Sequence, residues 1–250
     1  MISLSGKVVI VTGSGRGIGR SIAVRLAKEG MIVIVNAKKR FEEAKETLQE
    51  IERIGGKGEI IMSDVATRSG CKELVEKTLE KFKRLDVLIN NAGLGLYSPF
   101  LNADDKMIDK QLEVSLKSAI YCSQEAGKYM NKDGSIINIA SIAGILPAKG
   151  LSIYGIAKAG LISLTKTLAV ELAPIRVNAV APGLVRTKMG ESLISLSGES
   201  EEEFAKKRTL IGKIVEPDEV AEVVTMLLKI PTITGQVIVI DSGQTLLGTL

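Results

Sequence analysis

A doubly wound parallel α/β sheet is the fold class that this 250-residue sequence predicts. Three observations predict it: short apolar runs recur along the chain, amphipathic helical segments fall between them, and a glycine-rich turn joins the first run to the first helix. Val8-Val9-Ile10-Val11 is apolar at every position, as a parallel strand buried on both faces must be. The pattern repeats at Ile32-Val33-Ile34-Val35, Ile60-Ile61-Met62, Val87-Leu88-Ile89, Ile136-Ile137-Asn138-Ile139, Val177-Asn178-Ala179-Val180 and Val237-Ile238-Val239-Ile240, giving seven strands. Between them, Phe41, Ala44, Leu48 and Ile51 mark one helical stripe, and Ala157, Leu161, Leu164, Leu168 and Leu172 another. Pro217 is placed to open the last helix, where its missing N–H costs little. Strand–helix alternation implies right-handed crossovers and helices on both faces. No linker or internal repeat divides the chain, so residues 1–250 are expected to form one domain. Its ligand site should lie at the carboxyl ends of the strands.

The segment from Pro182 to about Ser200 reads as irregular, serine-rich chain carrying Met189, Leu193, Ile194 and Leu196. A long loop in a compact domain is usually functional or disordered. Its apolar residues favour a substrate lid over about 183–207, with a surface loop as the alternative.

Composition narrows the function classes. Apolar residues make up 45% of the chain and aromatics 3%, with no Trp, so aliphatic side chains must build the core and stacking platforms for single-stranded nucleic acid are scarce. The net charge is +4, but cations alternate with anions, as in Lys38-Lys39-Arg40 before Glu42-Glu43, which argues for a solvated surface and no nucleic-acid partner. Cys71 and Cys122 are far apart in sequence, without a CxxC or any histidine, so free core thiols in a reducing compartment are expected, and no metal site. The first residues lack the layout of a signal peptide, and no apolar run approaches the ~18 residues of a membrane span. These features lead to the expectation of a soluble, cytoplasmic protein that does not engage a membrane.

Thr12-Gly13-Ser14-Gly15-Arg16-Gly17-Ile18-Gly19 follows the first strand and opens the first helix. In that setting Gly13 permits a tight turn, Gly17 lets backbone approach a pyrophosphate and Gly19 allows close helix–strand packing, while the helix N-terminus offers N–H donors to phosphate. The end of the second strand decides between NAD and NADP, because an acid there would hold the ribose 2′-OH and repel a 2′-phosphate. Ala37 stands at that position, followed by Lys38. Arg16 and Lys38 are placed to clamp a 2′-phosphate from two sides; each charge-assisted bond contributes about 1.5–3 kcal/mol, or roughly tenfold or more. NADP is the expected cofactor, with NAD as the alternative.

Tyr154 and Lys158 stand four residues apart and so share one helix face, with Ser141 thirteen residues upstream at a strand end. A hydroxyl, a phenol and an amine that converge can protonate a carbonyl oxygen while hydride reaches its carbon. With no histidine in the chain, Tyr154 is the natural acid and base. A phenol with pKa about 10 needs help near neutral pH. An ammonium at about 4 Å in an effective dielectric of about 20 supplies roughly 4 kcal/mol, enough to lower the phenol by roughly three units.

Taken together, Thr12-Gly13 with Gly17 and Gly19, Asp64-Val65, Asn90-Asn91-Ala92-Gly93, Ser141, Tyr154 with Lys158, and Pro182-Gly183 with Thr187 resemble the short-chain dehydrogenase/reductase family from about Gly6 to Gly243. Within it the chain is most similar to 3-oxoacyl-[acyl-carrier-protein] reductases and to sugar or polyol dehydrogenases. The resemblance implies a Rossmann fold, a small carbonyl or alcohol substrate, and a homotetramer built partly from the helices around Ser115 and Tyr154. It also implies that Asp64 and the Val65 backbone hold adenine, that Asn91, Ala92 and Gly93 line the cofactor, and that Thr187 and the Leu184 backbone hold the nicotinamide carboxamide. Two departures stand out. Ser115 replaces the asparagine that family members use in a proton relay beside the lysine. The turn at Leu172-Ala173-Pro174-Ile175 is abrupt and lacks the basic residue of many carrier-protein reductases. Three readings therefore stay open: an NADP(H)-dependent ketone reductase, a sugar or polyol dehydrogenase, and a silent NADP(H)-binding member.

Overall fold

Alternate side chains of a strand point to opposite faces, so runs apolar at every position need cover on both sides. In the computed structural model, which describes residues 1–248, they receive it. Strands β1 (Val8–Val11), β2 (Ile32–Ala37), β3 (Lys57–Met62), β4 (Val87–Asn90), β5 (Ser135–Ile139), β6 (Arg176–Pro182) and β7 (Val237–Ile240) form one sheet in the order β3-β2-β1-β4-β5-β6-β7. Every neighbouring pair is parallel; Val9, for example, stands between Val33 of β2 and Val87 of β4. The chain winds outward from β1 to β3 and then restarts on the other side at β4, which opens a crevice above β1 and β4.

Helices α1 (Gly17–Lys28) and α9 (Pro217–Lys229) cover one face, where Ile22, Leu26, Val220, Val224 and Leu227 pack on Val9, Val11, Val33 and Ile89. Helix α2 (Phe41–Arg53) joins them through Ala44 and Ile51. On the opposite face, α3 (Arg68–Phe82), α4 (Asp105–Leu112), α5 (Ser118–Gly127) and α6 (Ser152–Glu171) follow in chain order. There Leu74, Cys122 and Ala126 meet Val8, Ile10, Leu88 and Ile136, while Leu161 of α6 packs on Ala179 and Ala181. A π-helical turn, Glu113–Lys117, joins α4 to α5. Pro217 opens α9 as expected, with a capping box between Glu216 and Glu219.

Three local expectations change. The stretch after Pro182 is helical rather than irregular, folding as α7 (Lys188–Ser197) and α8 (Glu201–Arg208). Thr187 caps α7, Gly198 ends it at φ +71°, and Ser200 with Glu203 forms a capping box on α8. The serines that suggested a loop turn inward on their own helix, Ser192 donating to Lys188 O at 2.8 Å and Ser195 to Glu191 O at 2.9 Å. In α2, Phe41 at the first turn is exposed, and the buried stripe includes Thr47, whose hydroxyl donates to Ser14 O at 3.1 Å. Helix α6 is, by length and composition, apolar enough to cross a membrane, contrary to the expectation of no such run. It packs along β5 and β6, and only 28% of its most apolar stretch is buried. Cys71 and Cys122 are free core thiols as expected; distant in sequence, they come to 2.7 Å of each other, and hydrogen bonding to Cys71 together with burial pushes the Cys122 thiol well up.

Candidate active site

The glycine turn sits at the crevice between β1 and β4, shaped by side chains the sequence had not marked. Gly13 and Gly17 adopt φ +63° and +55°, a region closed to most other residues. Asn36 Oδ1 accepts from Gly13 N–H at 3.2 Å, and Ser14 Oγ donates to Val11 O at 2.7 Å while accepting from Asn36 N–H at 3.1 Å. Arg20 donates to the Gly15 carbonyl, its Nη2 lying 2.7 Å away. A Cβ on Gly19 would lie 2.4 Å from Asn91 Nδ2 and 2.6 Å from Gly13 O, so only glycine lets α1 start this close to the turn. Asn91 braces the junction, donating to Thr12 O at 2.8 Å and Gly13 O at 3.1 Å, and Ala92 N–H reaches Thr12 Oγ1 at 3.0 Å.

Across the crevice, Gly183 N–H donates to Ile240 O at 2.8 Å and so keeps the chain beyond Pro182 in line with β7. Thr187 then faces the turn: a Cβ on Gly17 would come 3.5 Å from its methyl. Leu184 N–H reaches Gln244 Oε1 at 3.4 Å. A glycine turn of this shape with α1 starting behind it, facing the loop after β6, fits a dinucleotide laid over β1 and β4.

The charged end differs from the expected clamp. Lys38 forms an ion pair with Asp64, and Arg16 lies 3.6 Å from Glu43. Burial pushes the Asp64 carboxyl up, but hydrogen bonds from Lys38 and Ala66 N–H and the charge of Lys38 outweigh it, leaving it below the ordinary Asp value. Asp64 does not cap α3; Thr67 does, accepting from Gly70 N–H at 3.1 Å. Val65 is buried at the head of that turn, and Cys71 Sγ donates to its carbonyl at 3.3 Å.

Beyond the turn, the carboxyl ends of β4, β5 and β6 bring Ser141, Tyr154 and Lys158 together. Ser141 follows β5 in extended conformation, its Oγ accepting from Ala143 N–H at 3.1 Å. Tyr154 lies in the first turn of α6, and Lys158 Nζ sits 5.6 Å from its ring centroid. Lys158 is 4% exposed and donates to Ile139 O at 2.7 Å. A Cβ on Gly93 would lie 3.4 Å from Lys158 Nζ, which puts the strand-end glycine beside the amine. One on Gly95 would meet Met189 Sδ at 3.2 Å and Tyr154 Cε2 at 3.8 Å, so α7 closes over the phenol. Behind the site a buried chain runs from Asn90 to Asn138 Oδ1 at 2.8 Å and from Asn138 to Thr165 Oγ1 at 2.8 Å, fixing α6 against β4 and β5.

The electrostatics correct one expectation. Burial pushes the Tyr154 phenol above its ordinary value, and interaction with the Ser141 hydroxyl pulls it back only part-way. Burial also lowers Lys158 from 10.5 to about 8. The amine spends a proton on a backbone carbonyl and lies near the ring of Tyr154, so in this state desolvation outweighs its pull on the phenol. Ser115, the residue in place of the family's relay asparagine, lies near the lysine, a Cβ on Gly93 coming 3.8 Å from its Oγ, and its hydroxyl donates to Leu94 O at 3.1 Å and accepts from Leu94 N–H at 3.2 Å.

Fold and cleft define the class, a doubly wound dinucleotide-binding oxidoreductase. Comparison with known proteins makes the assignment narrower. The family profile described as enoyl-(acyl carrier protein) reductase matches residues 13–245. A 3-oxoacyl-[acyl-carrier-protein] reductase, FabG, of Thermotoga maritima is 39% identical over 96% of this chain and 98% of its own length. A 3-oxoacyl-[acyl-carrier-protein] reductase of Synechocystis is 36% identical over 98% and 99%. Among solved structures, a short-chain dehydrogenase from Burkholderia cenocepacia in complex with NADP superposes with a TM-score of 0.91 at 32% identity, covering 98% of this chain and 100% of that one. The chain belongs to the short-chain dehydrogenase/reductase family and is an NAD(P)-dependent oxidoreductase.

Proposed function

We propose that the protein interconverts a ketone and a secondary alcohol with NADP(H), with Ser141, Tyr154 and Lys158 as its catalytic residues. The observation that carries this reading is the convergence of those three side chains, at the carboxyl edge of the sheet, with the glycine turn and Thr187 alongside. When bound, the nicotinamide cofactor supplies or accepts the hydride. Gly13, Gly17 and the start of α1 hold its pyrophosphate, Asp64 and Val65 its adenine, and Thr187 and the Leu184 backbone its carboxamide. Tyr154 gives its proton to the substrate oxygen in reduction and recovers it in oxidation, while the Ser141 hydroxyl holds that oxygen. Lys158 orients the cofactor ribose and stabilises the phenolate that proton transfer creates.

NADP is favoured over NAD because Ala37 leaves no acid at the end of β2 and two cations, Arg16 and Lys38, stand nearby. Their present ion pairs are half-exposed, worth about 0–1 kcal/mol each, and are readily exchanged for a phosphate. The Burkholderia structure with NADP supports the same choice. Apolar cover from Met189 beside Tyr154 favours an uncharged or acyl-type substrate, in keeping with the 3-oxoacyl reductases among its relatives. The helices over 183–207 are its lid. A second copy of the chain covers the open side of α6, where Ile156 and Val170 are exposed, and the assembly is a homotetramer.

Initial rates with an acetoacetyl thioester, glucose and simple polyols, each tried with NADPH or NADP and with NADH or NAD, test the reading. Thioester reduction with NADPH is expected. Turnover confined to glucose or polyols would establish the dehydrogenase alternative, and tight NADPH binding without any turnover the silent one.

A further inference from the structure

Gln111 plays no part in the reading so far, yet it is fully buried in the last turn of α4. Four residues later, Ser115 lies in the π-helical turn, 1% exposed. A buried amide is costly unless every polar atom is matched, and here each is. Gln111 Oε1 accepts from Leu96 N–H at 2.9 Å, and its Nε2 donates to Ser115 Oγ at 3.0 Å and to the Leu94 carbonyl. Ser115 closes the ring by taking both the N–H and the carbonyl of Leu94. Because Leu96 N–H can only donate and the Leu94 carbonyl can only accept, the amide has one workable orientation. The segment these bonds hold has no regular structure of its own, and it forms the wall of the cleft: Gly93 lies beside Lys158, and Gly95 against Tyr154 and Met189.

Resting on the oxidoreductase reading above, we propose that Gln111 and Ser115 act as a paired positioning device that fixes the backbone of Leu94 to Leu96 against Tyr154 and Lys158. Spacing makes the pair possible, with Gln111 in the last turn of α4 and Ser115 in the π-helical turn that follows. Residues four apart share a helix face, so both side chains reach the same stretch of backbone after β4. A closed ring of satisfied hydrogen bonds is stiff, and stiffness here sets how closely substrate approaches the phenol.

The test uses Gln111→Met, which keeps the volume and removes all its hydrogen bonds, and Gln111→Glu, which keeps the acceptor for Leu96 and loses the donor to Leu94. Amide hydrogen exchange is followed at Leu94 and Leu96, beside kcat, KM and the dissociation constant for NADPH. In Gln111→Met, exchange at both amides should accelerate and kcat should fall about tenfold, with NADPH affinity held within about twofold. Gln111→Glu, which also covers the case in which the methionine variant fails to fold, should leave Leu96 protected and loosen Leu94, with a smaller fall in kcat. Unchanged exchange at both amides overturns the proposal, and so does faster exchange with wild-type kcat. So does a parallel loss of kcat, NADPH affinity and melting temperature, the mark of a purely structural role. Exchange is read without substrate, so the clamp is scored independently of the reaction; full turnover by Tyr154→Phe would count instead against the reading beneath it.

Discussion

Tyr154 and Lys158 perturb each other less than burial perturbs both. The phenol is raised and the amine brought down to about 8, so near neutral pH a protonated phenol lies beside an amine that still carries its charge but gives it up about one pH unit higher. Tyr154→Phe removes the hydroxyl that gives its proton to the substrate oxygen and leaves only the Ser141 hydroxyl to hold it. Turnover should fall by about 10²–10⁴-fold while NADPH binding persists, measured by initial rates beside fluorescence titration. Lys158 also has a stability consequence whose sign is fixed. Its folded pKa lies below 10.5, so the buried charge costs stability fully below about pH 8 and progressively less up to 10.5. Lys158→Met should therefore stabilise the fold near pH 7 by up to about 3 kcal/mol, and the gain should vanish above pH 10.5. Urea melts at both pH values check this; a variant destabilised equally at each would refute the burial account.

At the scale of elements, the nucleotide end is a contest among charges on four segments: the turn before α1, the end of β2, the first turn of α2 and the end of β3. Arg16→Ala and Lys38→Ala should each lower the preference for NADPH over NADH about tenfold in kcat/KM. The effect of Lys38→Ala should be the larger, because it also leaves the Asp64 carboxylate unneutralised beside the incoming phosphate. Equal kcat/KM ratios in wild type and both variants would show that neither cation reads the phosphate. The helices after β6 carry a different lesson. Ser192 and Ser195 read as loop residues because serine often competes with helix for backbone partners, yet both satisfy that tendency within α7. The cap at Thr187 and the stop at Gly198 then fix the helix length.

Across the whole molecule, the exposed apolar side of α6 predicts an assembly. Light scattering should give about four times the chain mass of 26.7 kDa, and Val170→Glu should shift the population toward smaller species while leaving the monomer folded. A monomer in the wild type would show that this surface has no partner copy. Much of the fold was legible from sequence because runs apolar at every position, such as 8–11 and 32–35, admit only a strand covered on both sides. The glycine turn was legible for a similar reason: its three glycines answer to backbone geometry that few other residues satisfy. Gln111, Asn36 and Arg20 were not legible. Each is a polar residue whose task depends on a backbone group 15, 23 or 5 positions away, and spacing alone carries no sign of such a pairing.

What the residues determined unaided was the seven strands and their alternation with helices outside the stretch after Pro182, the turn at the first junction and the shared face of Tyr154 and Lys158, since each follows from short-range patterning. The tertiary structure alone decided that Ser115 serves Leu94, that Lys38 meets Asp64 and that the buried thiols touch. It also decided that desolvation, which depends on every surrounding atom, outweighs the attraction between one phenol and one amine.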